Sequence, residues 1–236
     1  MAHAATTHVR INRSLLAHVE RQVLLWLAHR LPERMHSDHL TALAVVGTAI
    51  ASLSFALARL FPVALVGVVA GLALNWFGDS LDGTVARVRH QQRPRYGFYV
   101  DHVIDLAGTA MLLAGLAGSG LMSPLVAVMV LAAFLLVSAE SYLATHAAGV
   151  FRMSFLGFGP TELRLLLMAG ALRSAVSPVV TGLGVGPVRL FDLGGAAACA
   201  ALALAFIVSS IRNTRALYIA EPMPTATPVA STDVAA

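Results

Sequence analysis

Long apolar segments separated by short polar stretches fill most of the chain after residue 37. A helix needs about 20 mostly apolar residues to cross the hydrocarbon core of a membrane. This pattern predicts an all-α integral membrane protein with six transmembrane helices. The fifth segment contains Arg173 and precedes Pro178, so it spans only if Arg173 reaches the far interface or a protein partner. The predicted spans lie near residues 38–58, 62–85, 98–119, 122–147, 161–180 and 190–213.

The segment before the first span is amphipathic rather than uniformly apolar. Over residues 11–31, apolar side chains that include Trp26 share one side, and most polar side chains lie elsewhere. The pattern predicts a helix in the membrane interface or, as an alternative, a helix packed against the rest of the protein. Residues 221–236, rich in Pro, Thr, Ala and Val, predict a disordered tail. Residues 1–220 are therefore predicted to form one membrane-embedded domain with a six-helix core over 38–213.

Composition supports this picture. Hydrophobic residues make up 58% of the 236 residues and charged residues 12%, and the mean hydropathy is +0.77. A soluble domain carries about twice that charged fraction. A soluble enzyme and a disordered chain are therefore excluded, and the single cysteine, Cys199, excludes a disulfide scaffold.

The basic residues indicate an orientation. All 16 are arginines, and they do not form the aromatic-interleaved patch of a nucleic-acid-binding protein. If both termini are cytoplasmic, 13 of the 16 lie on the cytoplasmic side, as the positive-inside rule expects. These 13 are Arg10, Arg13, Arg21, Arg30, Arg34, Arg87, Arg89, Arg93, Arg95, Arg152, Arg164, Arg212 and Arg215.

Four of the 12 acidic residues lie together in the sequence. Asp79 and Asp82 end the second predicted span, and Asp101 and Asp105 begin the third. Their i,i+3 and i,i+4 spacings place each pair along one helix face. Spans joined by a short loop are antiparallel neighbours, so the two faces can meet. Carboxylate ligands suit hard cations such as Mg²⁺, Mn²⁺ or Ca²⁺, and four of them can hold two ions that clamp phosphoryl oxygens.

The residues between the acids agree with a phosphate ligand beside metal ions. Gly83, Ala86 and Gly97 leave space next to the acids. Arg87 can bind a phosphate through two parallel hydrogen bonds. In the alternative interpretation the acids only form ion pairs with loop arginines, but their regular spacing favours the metal site. Those arginines are Arg87, Arg89, Arg93 and Arg95.

This segment closely resembles the motif of the CDP-alcohol phosphotransferase family. The motif is Asp, two residues, Asp-Gly, two residues, Ala-Arg, eight or nine residues, Gly, three residues, Asp, three residues, Asp. From Asp79 to Asp105, all eight fixed positions are filled, with nine residues before Gly97. The resemblance implies six membrane helices after an interfacial helix, usually in a homodimer. A Pro-Asn-x-Leu-Thr stretch common in the family corresponds to residues 37–41, where Asp38 replaces Asn.

The resemblance also implies a reaction. Asp105 would be the general base for an acceptor hydroxyl, which attacks the β-phosphorus of a CDP-alcohol and releases CMP. The favoured donor is CDP-diacylglycerol, in a bacterial inner membrane, with the active site on the cytoplasmic side. The alternative is a small CDP-alcohol of the CDP-ethanolamine or CDP-choline type with a lipid acceptor. The implied ligands of two Mg²⁺ or Mn²⁺ ions are Asp79, Asp82, Asp101 and Asp105. The implied CDP-binding residues are Asp79, Gly83, Ala86, Arg87 and Gly97.

Candidate acceptor-binding residues follow the motif. Arg152 and Arg164 can bind a phosphate on the acceptor. Residues 159–162 faintly resemble a Gly-Pro-x-Glu stretch of choline- and ethanolamine-phosphotransferases, in which Glu162 would face an amine headgroup. In the alternative interpretation, residues 159–162 are simply the start of a helix. Glu140, an acid inside the fourth span, either lines the acceptor cavity or pairs with an arginine such as Arg152.

Two functions of other classes fit the sequence less well. Intramembrane prenyltransferases usually have two separate Asp-rich sites and more spans than this chain. A cation transporter that uses the acids as ligands would carry them deeper in the bilayer and does not require the Asp-Gly-x-x-Ala-Arg pattern.

Overall fold

The computed structural model describes residues 17–148, 160–181 and 186–223. The regular secondary structure in this part of the chain is helical except for one short pair of antiparallel strands, in which Val179 lies opposite Arg189. The elements are α1 (Ala17–Arg30), α2 (Ser37–Leu57), a 3₁₀ turn (Pro62–Ala64), α3 (Leu65–Val88), α4 (Pro94–Gly118), α5 (Pro124–Ala148), α6 (Pro160–Val176), β1 (Val179–Val180), β2 (Val188–Arg189) and α7 (Leu190–Ala220).

Five of the described helices, α2, α3, α4, α5 and α7, are long and apolar enough to cross a membrane. They confirm the predicted all-α integral membrane fold. The predicted span at 161–180 corresponds to α6, whose 17 residues extend about 25 Å. The helix ends at Val176 because Pro178 disfavours helical geometry at the preceding residue. A total of six spans therefore stays a prediction. Residues 11–16 and most of the predicted tail lie outside the described residues.

α2 is the central helix, packed against both α3 and α4. Its contact with α3 is close because glycines face each other across it. A Cβ atom added to Gly71 would lie 2.6 Å from the backbone oxygen of Gly47 and 2.6 Å from the backbone nitrogen of Ala51. Small residues let two helix backbones approach in this way, and packing of the apolar side chains around them stabilises the pair. The buried side chains of Phe55 and Leu72 lie in this core.

α1 packs against α3 with one face only. Leu24 and Ala28 are buried in a cluster that also contains Leu81 and Val85. On another side of α1, Trp26 is 55% exposed, and the Arg30 guanidinium lies 3.8 Å from its ring centroid. The helix is thus packed against its own protein, as one of the two interpretations expected. Its location in the membrane interface stays a prediction.

Arg89, directly after α3, forms hydrogen bonds with the backbone of the segment that connects α1 and α2. Its Nη1 donates to the backbone oxygens of Glu33 and Met35 at 3.2 and 2.6 Å. Its Nη2 donates to those of Leu31 and Pro32 at 2.9 and 3.0 Å. An arginine fork can satisfy several carbonyls at once, which the single ammonium of lysine does not reproduce.

We expect Arg89→Lys to lower the free energy of unfolding by about 1–3 kcal/mol, because four backbone oxygens, two of them partly buried, lose charged donors. The matched control is Arg95→Lys in the first turn of α4, where the side chain is exposed. Thermal unfolding in detergent, together with protease sensitivity of residues 31–36, measures the effect. Equal stability of the two variants would contradict this role.

Candidate active site

Three carboxylates from two helices converge at one end of the bundle. Asp79 lies in the second half of α3, and Asp101 and Asp105 lie in the first half of α4. One oxygen of each lies within 4.8 Å of the others. α4 begins at Pro94 rather than near residue 98, so both of its acids are helical and one turn apart. Both helices pack on α2, and this shared neighbour holds the acids together across a short loop.

Arg164 of α6 provides a positive charge beside this cluster. Its Nη2 donates to Asp79 Oδ2 at 2.5 Å, and its Nε donates to Asn75 Oδ1 at 2.7 Å. The arginine side chain is only 12% exposed. A charge-assisted pair with so little solvent is stronger than a surface ion pair. The sequence placed Arg164 among acceptor-binding residues, whereas the structure joins it directly to a predicted metal ligand.

Asp82 is oriented differently from the other three acids. Its Oδ2 accepts a hydrogen bond from Thr41 Oγ1 of α2 at 2.7 Å, and its Oδ1 accepts one from the backbone nitrogen of Gly83 at 2.5 Å. Within the described residues, the group of carboxylates close enough to share one ion contains Asp79, Asp101 and Asp105. Asp82 therefore borders the cluster, fixed by a hydroxyl from the central helix.

The surface beside the acids is open. An added Cβ on Gly97 would meet nothing within 4 Å, and one on Gly83 would lie 3.4 Å from Arg87 Nη1. The exposed Arg87 donates from Nη2 to Thr84 Oγ1 at 3.0 Å, which holds its guanidinium over Gly83. Ala86 is partly exposed beside it. Gly83 and Ala86 thus leave a partly open surface on α3 with the Arg87 guanidinium above it, and Gly97 is open in the first turn of α4.

Two of the loop arginines are engaged away from the three clustered acids. Arg89 binds backbone oxygens, as described above, and Arg93 forms an ion pair with Asp38 at the start of α2. Asp79 pairs instead with Arg164. The alternative interpretation, in which the four acids form ion pairs with the loop arginines, therefore does not hold for Arg89, Arg93 and Asp79.

The described acceptor-binding candidates lie on different helices, Glu140 in α5 and both Glu162 and Arg164 in α6. Glu140 Oε1 accepts a hydrogen bond at 2.7 Å from Asn213 of α7, a partner that neither sequence interpretation named. Glu162 lies in the first turn of α6, where its negative charge interacts favourably with the positive end of the helix dipole. Arg152 lies outside the described residues. Arg164 donates directly to Asp79 of the acid cluster.

Asn75 is a site residue that sequence reasoning missed. It lies one helical turn before Asp79, and its Nδ2 donates to Ala44 O at 3.1 Å and Thr48 Oγ1 at 2.9 Å in α2. Because its Oδ1 accepts from Arg164, it links three helices. The signal was an amide within a long apolar run, which in a membrane helix usually finds a polar partner.

The three clustered carboxylates are suitable ligands for a hard divalent cation. Oxygens that share such an ion at about 2.0–2.6 Å lie at most about 4–5 Å apart, and the three carboxylates meet that limit. The ligands are all oxygens, as Mg²⁺ and Mn²⁺ prefer. Arg164 offsets part of the negative charge without supplying a competing ligand.

Membrane-spanning helices with clustered carboxylates, an arginine and an open glycine surface define the class: integral membrane phosphoryl-transfer enzymes. A family model described as CDP-alcohol phosphatidyltransferase matches residues 35–209. The chain belongs to this family, and the resemblance seen in the motif is confirmed. It is a membrane transferase of phospholipid biosynthesis that moves a phosphatidyl-type group from a CDP-alcohol to another alcohol.

Among solved structures, the chain is similar to the phosphatidylinositol phosphate synthase of Mycobacterium tuberculosis, a crystal structure with CDP-DAG bound. The sequence identity is 19% and the TM-score is 0.54, over 86% of this chain and 100% of that chain. At this identity the likeness shows the fold. A search of curated proteins gives no match.

Proposed function

We propose that this enzyme transfers a phosphatidyl group from CDP-diacylglycerol to the hydroxyl of an acceptor alcohol and releases CMP. The observation that carries the proposal is the cluster of Asp79, Asp101 and Asp105, which lies on the same two helices as the open positions Gly83 and Gly97. The similar mycobacterial synthase, whose structure holds CDP-DAG, supports the choice of donor. We further propose one membrane-embedded domain, a homodimer, and a site that opens on the cytoplasmic side of a bacterial inner membrane.

Asp105 is the proposed general base. It is the exposed member of the cluster, so its carboxylate is accessible to an incoming hydroxyl. The hydroxyl proton moves to Asp105, and the hydroxyl oxygen forms a bond to the β-phosphorus of the donor. The bond between that phosphorus and the bridging oxygen breaks, and CMP leaves with the bridging oxygen. Arg87 neutralises phosphate charge from the side of Gly83.

The proposed metal ligands are Asp79, Asp82, Asp101 and Asp105, with Mg²⁺ as the ion and two ions as the number. When bound, such ions stabilise negative charge on phosphoryl oxygens. Asp82 would join the set by turning from Thr41, whose hydroxyl holds one of its oxygens in the structure. Arg164 keeps Asp79 oriented toward the cluster.

A panel of labelled donors and acceptors, tested with the purified full chain in lipid nanodiscs, decides the substrates. The donors are CDP-diacylglycerol, CDP-ethanolamine and CDP-choline. The acceptors are glycerol phosphate, inositol phosphate, free inositol, serine and diacylglycerol. The proposal is supported if CMP is released only when CDP-diacylglycerol is the donor. CMP release only from a small CDP-alcohol reverses the assignment of donor and acceptor, and no CMP from any pair contradicts the proposed reaction.

We expect chelation of divalent ions to reduce CMP release below about 1% of its starting rate, since charge on the phosphates is then uncompensated. Added Mg²⁺ or Mn²⁺ should restore it. In Asp101→Asn, the Mg²⁺ concentration for half-maximal rate should rise at least about tenfold. Glu33→Gln, on an exposed loop residue, is the control. Full activity after exhaustive chelation is the contrary result.

A further inference from the structure

Glu20 of α1 directs its carboxylate into the protein. Its Oε1 accepts hydrogen bonds from Trp76 Nε1 at 2.9 Å and from Ser80 Oγ at 3.3 Å, both in α3. The same oxygen accepts one from Thr161 Oγ1 of α6 at 2.7 Å. The side chain is half-buried. One carboxylate oxygen therefore joins the first turns of α1 and α6 to α3.

This junction lies next to the acid cluster. Ser80 directly follows Asp79 in α3, and Thr161 precedes Arg164 by one helical turn on the same face of α6. Arg164 in turn donates to Asp79 and to Asn75. Glu20 and Asp79 thus hold two successive points of one α6 face, the first through a hydroxyl and the second through a guanidinium.

We propose that Glu20 is a positioning residue for the transfer reaction. By accepting the Thr161 hydroxyl, it fixes the start of α6 against α3 and keeps the Arg164 guanidinium on Asp79. The inference rests on the proposed function, because it assigns Glu20 an effect on the site that binds the CDP-alcohol. Glu20 itself acts through other residues and contacts no reacting atom.

Glu20 can have this effect because three hydrogen-bond donors share its single Oε1 acceptor. Removal of the carboxylate leaves the indole and two hydroxyls without this partner, each with a desolvation penalty. α6 has only 17 residues, so a shift of its first turn moves Arg164 as well. A displacement of about 1 Å in a catalytic arrangement can reduce the rate about 100-fold.

A double-mutant cycle tests the proposal. We expect Glu20→Ala and Thr161→Val each to lower kcat/KM for CMP release about tenfold, and Arg164→Ala to lower it about 100-fold. If Glu20 acts through Arg164, the double variant Glu20→Ala/Arg164→Ala should be no slower than Arg164→Ala alone, within about threefold. Binding of CDP in Mg²⁺, measured by calorimetry on the same proteins, should show the same non-additivity.

Two further variants distinguish positioning from general stability. Glu20→Gln keeps the Oε1 acceptor and should retain a rate within about threefold of the wild type. Glu33→Ala makes the same truncation on an exposed side chain and should change nothing. Thr161→Val removes only the bond to α6, so it tests the link even if Glu20→Ala does not fold.

The outcomes separate the two proposals. A wild-type chain that neither releases CMP nor binds CDP contradicts the proposed function. An active wild type with additive effects in the cycle overturns the positioning role. Wild-type kinetics in Glu20→Ala or Thr161→Val, or a Glu20→Gln variant as slow as Glu20→Ala, also overturn it.

Discussion

Asp105→Asn is expected to reduce CMP release by about 10²–10⁴-fold while the protein stays folded and inserted in the membrane. The amide has nearly the same shape as the carboxylate but does not accept the acceptor's proton. Asp105 is exposed at the edge of the cluster, so its replacement should disturb packing little. Single-turnover CMP release and size-exclusion behaviour in detergent measure the two parts of the prediction.

A second variant separates the base from the metal ligands. Asp101→Asn should weaken binding of CDP in Mg²⁺ as well as the rate, because this carboxylate is a proposed ligand. Asp105→Asn also removes a proposed ligand, so it should weaken CDP binding as well, but its rate should fall further than that of Asp101→Asn because the general base is lost too. Glu221→Gln removes an exposed charge after α7 and serves as the control. Robust turnover by Asp105→Asn would refute the assignment of the base.

Gly78→Ala is expected to lower the free energy of unfolding by about 3 kcal/mol and the rate per folded enzyme by about 100-fold. The added Cβ would contact the backbone oxygen of Leu40 and lie 2.6 Å from the backbone nitrogen of Ala44. These are main-chain atoms of α2 and do not rotate away. α3 must therefore move, and Asp79 follows Gly78 directly. Thermal unfolding and CMP release measure the two effects.

Gly194→Ala in α7 is the matched control for this substitution. A Cβ there would meet nothing within 4 Å, so the helix should gain up to about 1 kcal/mol from the better propensity of alanine. Equal behaviour of the two variants would show that close backbone contact does not limit the α2–α3 pair.

The membrane helices could be predicted from the sequence because each must satisfy its backbone hydrogen bonds within itself, and so requires one continuous apolar run. The first predicted span, 38–58, corresponds closely to Ser37–Leu57. The fifth was less accurate, since the apolar run continues past Pro178 while α6 ends at Val176. Apolar composition measures compatibility with lipid, whereas proline geometry decided where the helix stops.

The residue types of the site were also readable, because helical spacing places acids on a common face and a motif with eight fixed positions identifies a family. The hydrogen-bond partners of these residues could not be predicted from the sequence. Thr41 and Asp82 are 41 residues apart, Glu140 and Asn213 are 73, and Arg164 and Asp79 are 85. Such pairs follow from how helices cross, and a single sequence does not encode that in any local pattern.

The sequence by itself thus determined the membrane class, most of the helices, the family and the acids proposed to carry the chemistry, since these depend on local periodicity and spacing. The tertiary structure decided which acids meet, that Arg164 joins Asp79, and that Glu20 receives donors from two other helices. The reason is the packing of the helices, α2 against α3 and α4, and α1 and α6 against α3, because this packing sets the distances between side chains far apart in the chain.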